Sequence, residues 1–262
     1  MRSTLDRILD GVRTGLPSLA ARRGELEAAA AARPAPPDFR RALVGPRVAV
    51  IAELKRRSPS AGLIAPKLVP AERARVYEGA GAAALSVLTE AAHFGGALAD
   101  LESVRSAVAL PLLRKDFILH ELQVVEARAA GASAVLLIVR ALTPAMLRDL
   151  LAAAGRWGIG ALVEAHDRRE LDVALAAGAT IIGVNSRDLG NFTIDTGAAW
   201  GLVKHLPSDV VAVAESGMQD AVAVRSAAEA GADAVLVGSA LSVAPDPAAL
   251  LAELAAVPRH GR

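Results

Sequence analysis

The sequence of 262 residues predicts an α/β fold, namely a (β/α)8 TIM barrel with a helical N-terminal extension. From residue 48 onward, short runs of small and branched apolar residues alternate with longer segments of helical periodicity. A phrase such as Ala129-Ala130-Gly131-Ala132 ends a helical segment at four places, which indicates repeated βα units. A doubly wound sheet is the competing fold, but no G-x-G-x-x-G follows the first apolar run.

Residues 1–45 are expected to form a helical extension that packs on the barrel, and residues 46–262 to form the barrel, within a single domain. Apolar residues fall at helical spacing between residues 5 and 12. A second, alanine-rich helix is predicted over residues 17–32, where a proline-rich run ends it. The alternative is a disordered leader, which apolar periodicity disfavours. We expect the extension to cover part of the barrel top.

Eight apolar runs are predicted to be the strands of the barrel. Runs of this kind suit strands that are buried on both faces of a parallel sheet. They span residues 48–53, 84–88, 112–115, 134–138, 161–164, 181–185, 210–215 and 234–237. Helices are predicted to begin near Pro70, Gly96, His120, Thr143, Arg168, Thr196, Gln219 and Asp246.

Polar residues end five of these strands, where a TIM barrel carries its catalytic groups. Glu53 and Lys55 are two residues apart, so their side chains should project together from the end of the first strand. The others are Lys115 after the third strand, Glu164 after the fifth, Asn185 and Arg187 after the sixth, and Glu215 and Ser216 after the seventh. One such charge is weak evidence, but five polar strand ends around one rim predict an active site.

Turns that contain hydroxyls or glycine follow the first, seventh and eighth strands. They are Ser58-Pro59-Ser60, Ser216-Gly217 and Gly238-Ser239. Barrels that bind phosphate commonly do so with the loops after strands seven and eight and a short extra helix. The sequence therefore predicts an anion-binding site at this side of the barrel mouth.

Composition excludes several other classes of protein. The net charge is +1 and no basic stripe with interleaved aromatic residues is present, which disfavours a nucleic-acid partner. The absence of cysteine excludes disulfides and thiolate metal sites. The N-terminus contains acidic residues, unlike a signal peptide, and no apolar run approaches the length of about 18 residues that a membrane span needs. We expect a cytoplasmic protein with no membrane partner.

Seven segments, in order and spacing, resemble the indole-3-glycerol-phosphate synthase family: IAELKRRSPSAG, SVLTEAAHFGG, LLRKDFI, LVEAHD, GVNSRDL, AESG and VLVGSAL. The resemblance covers nearly the whole chain, including the extension. It implies a carboxy-lyase of tryptophan biosynthesis that closes the ring of 1-(2-carboxyphenylamino)-1-deoxyribulose 5-phosphate with loss of carbon dioxide and water. It implies no cofactor and no metal. The expected partner is the phosphorylated substrate, and both a monomer and a homodimer remain open.

The resemblance also implies roles for individual residues. Lys115 matches the family's general acid and Glu164 its general base. The remaining catalytic positions are Lys55, Glu53, Asn185, Ser216 and Glu215. The substrate-binding positions are Arg187, Ser58, Phe94, Phe117, Gly217, Gly238 and Ser239, with the two phenylalanines as walls for the anthranilate ring. The chain departs from the family's usual residues at Ala61, His93, Ala97 and Arg140.

Two other functions stay open at this point. An aldose-ketose isomerase on a related phosphate-binding barrel would share the loops after strands seven and eight, but it would need neither both charges of the first strand nor the extension. A non-catalytic barrel that binds a phosphorylated metabolite should lack some of the charged residues at the strand ends. All of these residues are present in this sequence. Which lysine acts in which chemical step is not readable from the sequence.

Overall fold

The computed structural model describes residues 4–59, 61–188 and 193–262, and eight parallel strands close into a barrel at its centre. The strands are β1 (Ala49–Leu54), β2 (Ala84–Leu88), β3 (Leu112–Lys115), β4 (Ala134–Ile138), β5 (Gly160–Ala165), β6 (Ile181–Asn185), β7 (Val211–Glu215) and β8 (Ala234–Val237). They pair in chain order, and β8 returns to pair with β1. The predicted TIM barrel is confirmed, and each strand end lies within one residue of its predicted position.

Three helices precede the barrel: α1 (Thr4–Ala21), α2 (Arg23–Ala32) and α3 (Phe39–Ala42). The predicted start of the second helix at residue 17 is wrong, because Pro17 lies inside α1. A proline removes one backbone hydrogen bond from a helix, and α1 continues past that loss. The helix instead ends before Arg22, whose ψ of 10° interrupts the helical conformation.

The extension contacts the barrel at two places. Leu26 and Ala30 of α2 lie in one apolar cluster with Leu122 and Val125 on the outside of the barrel. At the other place, Phe39 joins the apolar side chains that fill the lower barrel interior. These contacts remove apolar surface from water, which is the usual source of such docking.

Helices alternate with the strands around the barrel. They are α4 (Pro70–Gly79), α5 (Ala91–Phe94), α6 (Leu98–Ala107), α7 (Glu121–Ala129), α8 (Pro144–Arg156), α9 (Arg168–Ala176), α10 (Thr196–Val203), α11 (Ala221–Glu229), α12 (Ser239–Val243) and α13 (Pro247–Ala255). A threonine or aspartate side chain caps the first turn of five of them, α8 to α11 and α13. None of the helices among the described residues is long and apolar enough to cross a membrane.

Glycine ends the helix in each of the four repeated phrases. Gly81, Gly131, Gly178 and Gly231 all have positive φ, which a residue with a Cβ rarely adopts. Three short elements near the barrel mouth were not predicted: a hairpin that pairs Arg57–Ser58 with Gly62–Leu63, helix α5 after β2, and a 3-10 helix over Val139–Ala141 after β4.

Candidate active site

Four odd-numbered strands supply a layer of charged side chains at the carboxyl end of the barrel. Its members are Glu53 on β1, Lys115 on β3, Glu164 on β5 and Glu215 on β7. The residues two positions earlier fill the apolar interior, and they are Ile51, Leu113, Leu162 and Val213. Because side chains on a strand repeat their direction every two residues, the four charged groups also point inward. Alternate strands of a TIM barrel fill one layer together, which brings these groups to the same level.

Lys115 is the centre of this layer. Its Nζ lies 2.9 Å from Oε2 of Glu215 and 3.5 Å from Oε2 of Glu164. Burial opposes the positive charge, but the carboxylates of Glu215, Glu164 and Glu53 outweigh burial and raise the pKa of Lys115. The side chain is therefore an ammonium throughout the neutral pH range.

The two carboxyl groups beside Lys115 differ in charge. Burial raises the pKa of Glu215 to about 7, and the carboxylate of Glu164 adds to this effect while Lys115 opposes it. Burial also acts on Glu164, but Lys115 and His166 outweigh it and lower the pKa of Glu164. Near neutral pH, Glu164 is thus ionised while Glu215 is close to its titration midpoint.

A second ion pair joins the end of β1. Nζ of Lys55 lies 2.9 Å from Oε1 of Glu53, so the two side chains do project together as predicted. Burial opposes ionisation of Glu53, but Lys55 and Lys115 outweigh it and lower its pKa. Gly238 makes room for this pair, because a Cβ at that position would lie 2.2 Å from Oε1 of Glu53.

The loops after β6 and β7 are tied to each other. Oγ of Ser216 donates to Oδ1 of Asn185 at 2.8 Å, and the backbone N–H of Arg187 donates to the same oxygen at 3.0 Å. Ser216 has a φ of 66°, a left-handed conformation that costs free energy in a residue with a Cβ and is found most often at functional sites. Gly217 continues this turn at a φ of 77°.

These groups surround a cavity of about 210 Å³. All of the predicted site residues line it: Glu53, Lys55, Ser58, Phe94, Lys115, Phe117, Glu164, Asn185, Arg187, Glu215, Ser216, Gly217, Gly238 and Ser239. The rings of Phe94 and Phe117 lie 6.2 Å apart between centroids. Ser60 lies outside the described residues. No described residue of the N-terminal extension lines this cavity. The extension was expected to cover part of the barrel top, but it does not contribute to the walls of the cavity.

The structure adds an apolar wall that the sequence reasoning missed. Its side chains are Leu88, Leu136, Ile138, Ile194, Met218 and Leu236. The sequence does contain a signal for part of this wall, because Leu136 and Ile138 on β4 are two residues apart and therefore share one face.

Asp116 is another cavity residue that the sequence did not predict. It accepts a hydrogen bond from the backbone N–H of Phe117 at 2.9 Å and pairs with Arg114 at 3.1 Å, which fixes the start of the loop after β3.

Comparison with known proteins identifies the relatives of this chain. The family model for indole-3-glycerol phosphate synthase matches residues 5–254. The chain is 48% identical over 260 residues to the indole-3-glycerol phosphate synthase of Mycobacterium ulcerans, covering 98% of this chain and 96% of the relative. It is 47% identical to the enzyme of the same name from Mycobacteroides abscessus, at the same coverage. Among solved structures, thiamine phosphate pyrophosphorylase from Pyrococcus furiosus superimposes with a TM-score of 0.59 at 17% identity, covering 79% of this chain and 93% of that one, which is a likeness of fold alone.

The raised pKa of Glu215 predicts a pH-dependent stability. Between its ordinary value of 4.5 and about 7, the folded protein retains a proton on Glu215 that the unfolded chain releases. The contribution of Glu215 to the stability of the fold is therefore complete below the unfolded-state pKa of 4.5. It is lost as pH rises through the folded-state pKa of about 7. Glu215→Gln is neutral at every pH, so its free energy of unfolding relative to the parent should rise by on the order of 3 kcal/mol across this interval.

Urea unfolding of the parent, Glu215→Gln and the exposed control Glu253→Gln at about pH 5 and about pH 8 measures this difference. The control should follow the parent at both values. If Glu215→Gln also follows the parent at both values, Glu215 does not hold its proton in the folded state.

Proposed function

This chain belongs to the indole-3-glycerol phosphate synthase family, and from that premise we propose how its cavity residues divide the reaction. The activity is a carboxy-lyase reaction of tryptophan biosynthesis. The substrate 1-(2-carboxyphenylamino)-1-deoxyribulose 5-phosphate closes an indole ring and loses carbon dioxide and water. The observation that supports the division of roles is the buried Lys115 ammonium beside two carboxyl groups, one ionised and one near its titration midpoint.

The walls of the cavity suggest how the substrate lies. Apolar groups from the β2 to β4 side, among them Phe94 and Phe117, suit the aromatic ring. Gly217 and Gly238 follow β7 and β8 and leave space for a phosphate near the backbone, with Ser58, Ser239 and the cations of Lys55 and Arg187 on the same cavity. Since β3 and β7 face each other across an eight-stranded barrel, the ring and the phosphate would lie on opposite sides of the charged layer.

Ring closure needs a proton donor at the ribulose carbonyl. The aromatic carbon that bears the carboxylate attacks this carbonyl carbon, and negative charge develops on its oxygen. We assign the Lys115 ammonium to that oxygen, because a buried, preorganised cation stabilises the developing charge and can donate a proton to it. Loss of carbon dioxide then returns the bonding electrons to the ring and restores aromaticity.

Dehydration needs a base and an acid. The new ring carbon carries the former carbonyl oxygen as a hydroxyl, which must leave as water while a proton is removed from the adjacent part of the ring. We assign the proton removal to Glu164, which is ionised at neutral pH, and the protonation of the departing hydroxyl to Lys55. Glu53 holds Lys55, while Asn185 and Ser216 fix the loops that border the reacting carbons.

Membership in the family decides against the isomerase and against the non-catalytic binding barrel as functions of this chain. A direct assay supplies the purified protein with the anilino-deoxyribulose phosphate and follows the fluorescence of the indole product. We expect turnover with this substrate and none with an aldose phosphate. Isomerisation of an aldose phosphate without indole formation would contradict the assignment.

The first catalytic prediction concerns Lys115. Lys115→Met keeps most of the side-chain volume but removes the proton donor, so the turnover number should fall by about 10² to 10⁴ with a smaller change in substrate affinity. Lys204→Met, at an exposed position, is the matched control and should keep parental kinetics. Near-parental turnover in a folded Lys115→Met protein would remove this lysine from the chemistry and leave Lys55 as the principal candidate.

Glu164→Gln should slow a later step than Lys115→Met does. The amide cannot accept the proton that dehydration releases, so a single-turnover experiment should show early release of carbon dioxide followed by delayed indole formation, with the second phase slowed by about 10² or more. Carbon dioxide and fluorescence are recorded on the same sample. If both signals are delayed together, Glu164 acts before or during ring closure instead.

The phosphate placement is tested by Gly217→Ala. Its Cβ would lie 2.7 Å from Cγ2 of Thr196, so the loop must move away from the anion. Loss of one or two hydrogen bonds to a charged group should weaken binding of inorganic phosphate by roughly 10-fold to 100-fold. Gly178→Ala is the control, because it also places an alanine at a positive φ, in this case 86°. Its Cβ would have no atom within 4 Å, and Gly178 does not line the cavity. If the two folded variants bind phosphate with equal affinity, the phosphate does not bind next to Gly217.

A further inference from the structure

His166 lies behind Glu164 and does not line the cavity. Its side chain is 4% exposed, and its Nε2 lies 3.3 Å from Oε1 of Glu164. Among the described residues, Nε2 has no hydrogen bond of normal geometry, so the carboxylate of Glu164 is the polar group it faces. A buried ring nitrogen without a partner is costly unless it serves an interaction of this kind.

The other ring nitrogen of His166 contacts the carboxylate of Glu170. Nδ1 lies 3.1 Å from Oε2 of Glu170 on α9, and the backbone N–H of His166 donates to the same oxygen at 2.8 Å. The second oxygen of Glu170 accepts from Nε of Arg140, after β4, at 2.8 Å. Glu170 is thus fixed on both of its oxygens, and it fixes the ring of His166 in turn.

The groups that face His166 come from three elements: Glu164 from β5, Glu170 from α9 and Arg140 from the turn after β4. Burial opposes protonation of the imidazole, but hydrogen bonding to Glu170 and the carboxylate of Glu164 outweigh burial and the opposing cation of Arg140, and they raise the pKa of His166. With both nitrogens protonated, the ring donates a hydrogen bond to Glu170 through Nδ1 and places the positive charge of Nε2–H beside Glu164.

We propose that His166 is a positioning residue for Glu164: its imidazolium, anchored by Glu170, holds the carboxylate ionised and turned so that Oε2 faces Lys115. The geometry divides the two oxygens of Glu164 between these cations, since Oε1 lies beside His166 and Oε2 lies 3.5 Å from Lys115. This inference rests on the proposed role of Glu164 as the base in dehydration. A cation on the outer side keeps Glu164 able to accept a proton from within the cavity.

The test compares His166→Gln, Glu170→Gln and the control His205→Gln, in which an exposed histidine receives the same substitution. The rate of indole formation in a single turnover is measured between about pH 4 and about pH 9, because the pKa of Glu164 is lowered from its ordinary value of 4.5. Loss of the imidazolium raises the pKa of Glu164, so the acid side of the profile should move upward by about one pH unit in His166→Gln. Glu170→Gln should move it in the same direction by less, because His166 remains but loses an anchoring charge. The Michaelis constant should stay parental, and so should the profile of His205→Gln.

An unshifted acid side in folded His166→Gln, together with slow dehydration in Glu164→Gln, would overturn the positioning role and leave the base in place. Parental dehydration in Glu164→Gln would overturn the base assignment itself. A side chain that only supports the fold would lower the melting temperature without moving the profile, which also counts against the proposal. If His166→Gln fails to fold, Glu170→Gln decides by the same shift or its absence.

Discussion

The ammonium of Lys115 lies between the carboxyl groups of Glu164 and Glu215, and this buried arrangement constrains the rest of the site. Removing charges from water costs several kcal/mol for each ion, and the cost is offset only where opposite charges and hydrogen bonds are well placed. Two full carboxylates and one ammonium would give these three side chains a net negative charge. The raised pKa of Glu215 reduces that excess by keeping a proton near neutrality.

This balance bears on how Lys115 acts. An ammonium with a raised pKa is a weaker acid than a free lysine, so it gives up its proton only to a strong base. In the proposed ring closure, the oxygen of the substrate carbonyl becomes such a base beside the largely buried Lys115 side chain. In this proposal the cation acts by charge alone before that moment, and the proton follows as the alkoxide forms. Protonation of Glu215 would weaken its hold on Lys115 and ease the transfer.

The sequence predicted the barrel and the polar strand ends because both depend on local periodicity. A period of two gives the direction of Glu53, Lys115, Glu164 and Glu215, and the glycine phrases give the ends of helices. The partners of these groups depend on packing between distant segments, as in the pair of Lys115 and Glu215, which lies 100 residues apart in the chain. His166 carried a weak signal, since it follows Glu164 by two residues, but its anchoring by Glu170 and Arg140 joins three separate elements. The break at Arg22 has no comparable signal in the sequence, where Pro17 is the stronger helix breaker although it lies inside α1.

A charged layer from the odd-numbered strands requires small residues beside it. Gly183 on β6 leaves space for Glu215, because a Cβ there would lie 2.0 Å from Oε1 of that side chain. Gly238 does the same for Glu53 after β8. On β4 the neighbours are instead large and apolar, namely Leu136 and Ile138. The barrel therefore has glycines beside Glu53 and Glu215 on the β6 to β8 side, whereas β4 contributes the hydrocarbon side chains of Leu136 and Ile138. In the proposed binding mode, the aromatic ring lies on the β2 to β4 side and the phosphate near the glycines after β7 and β8, which brings the reacting carbons over Lys115.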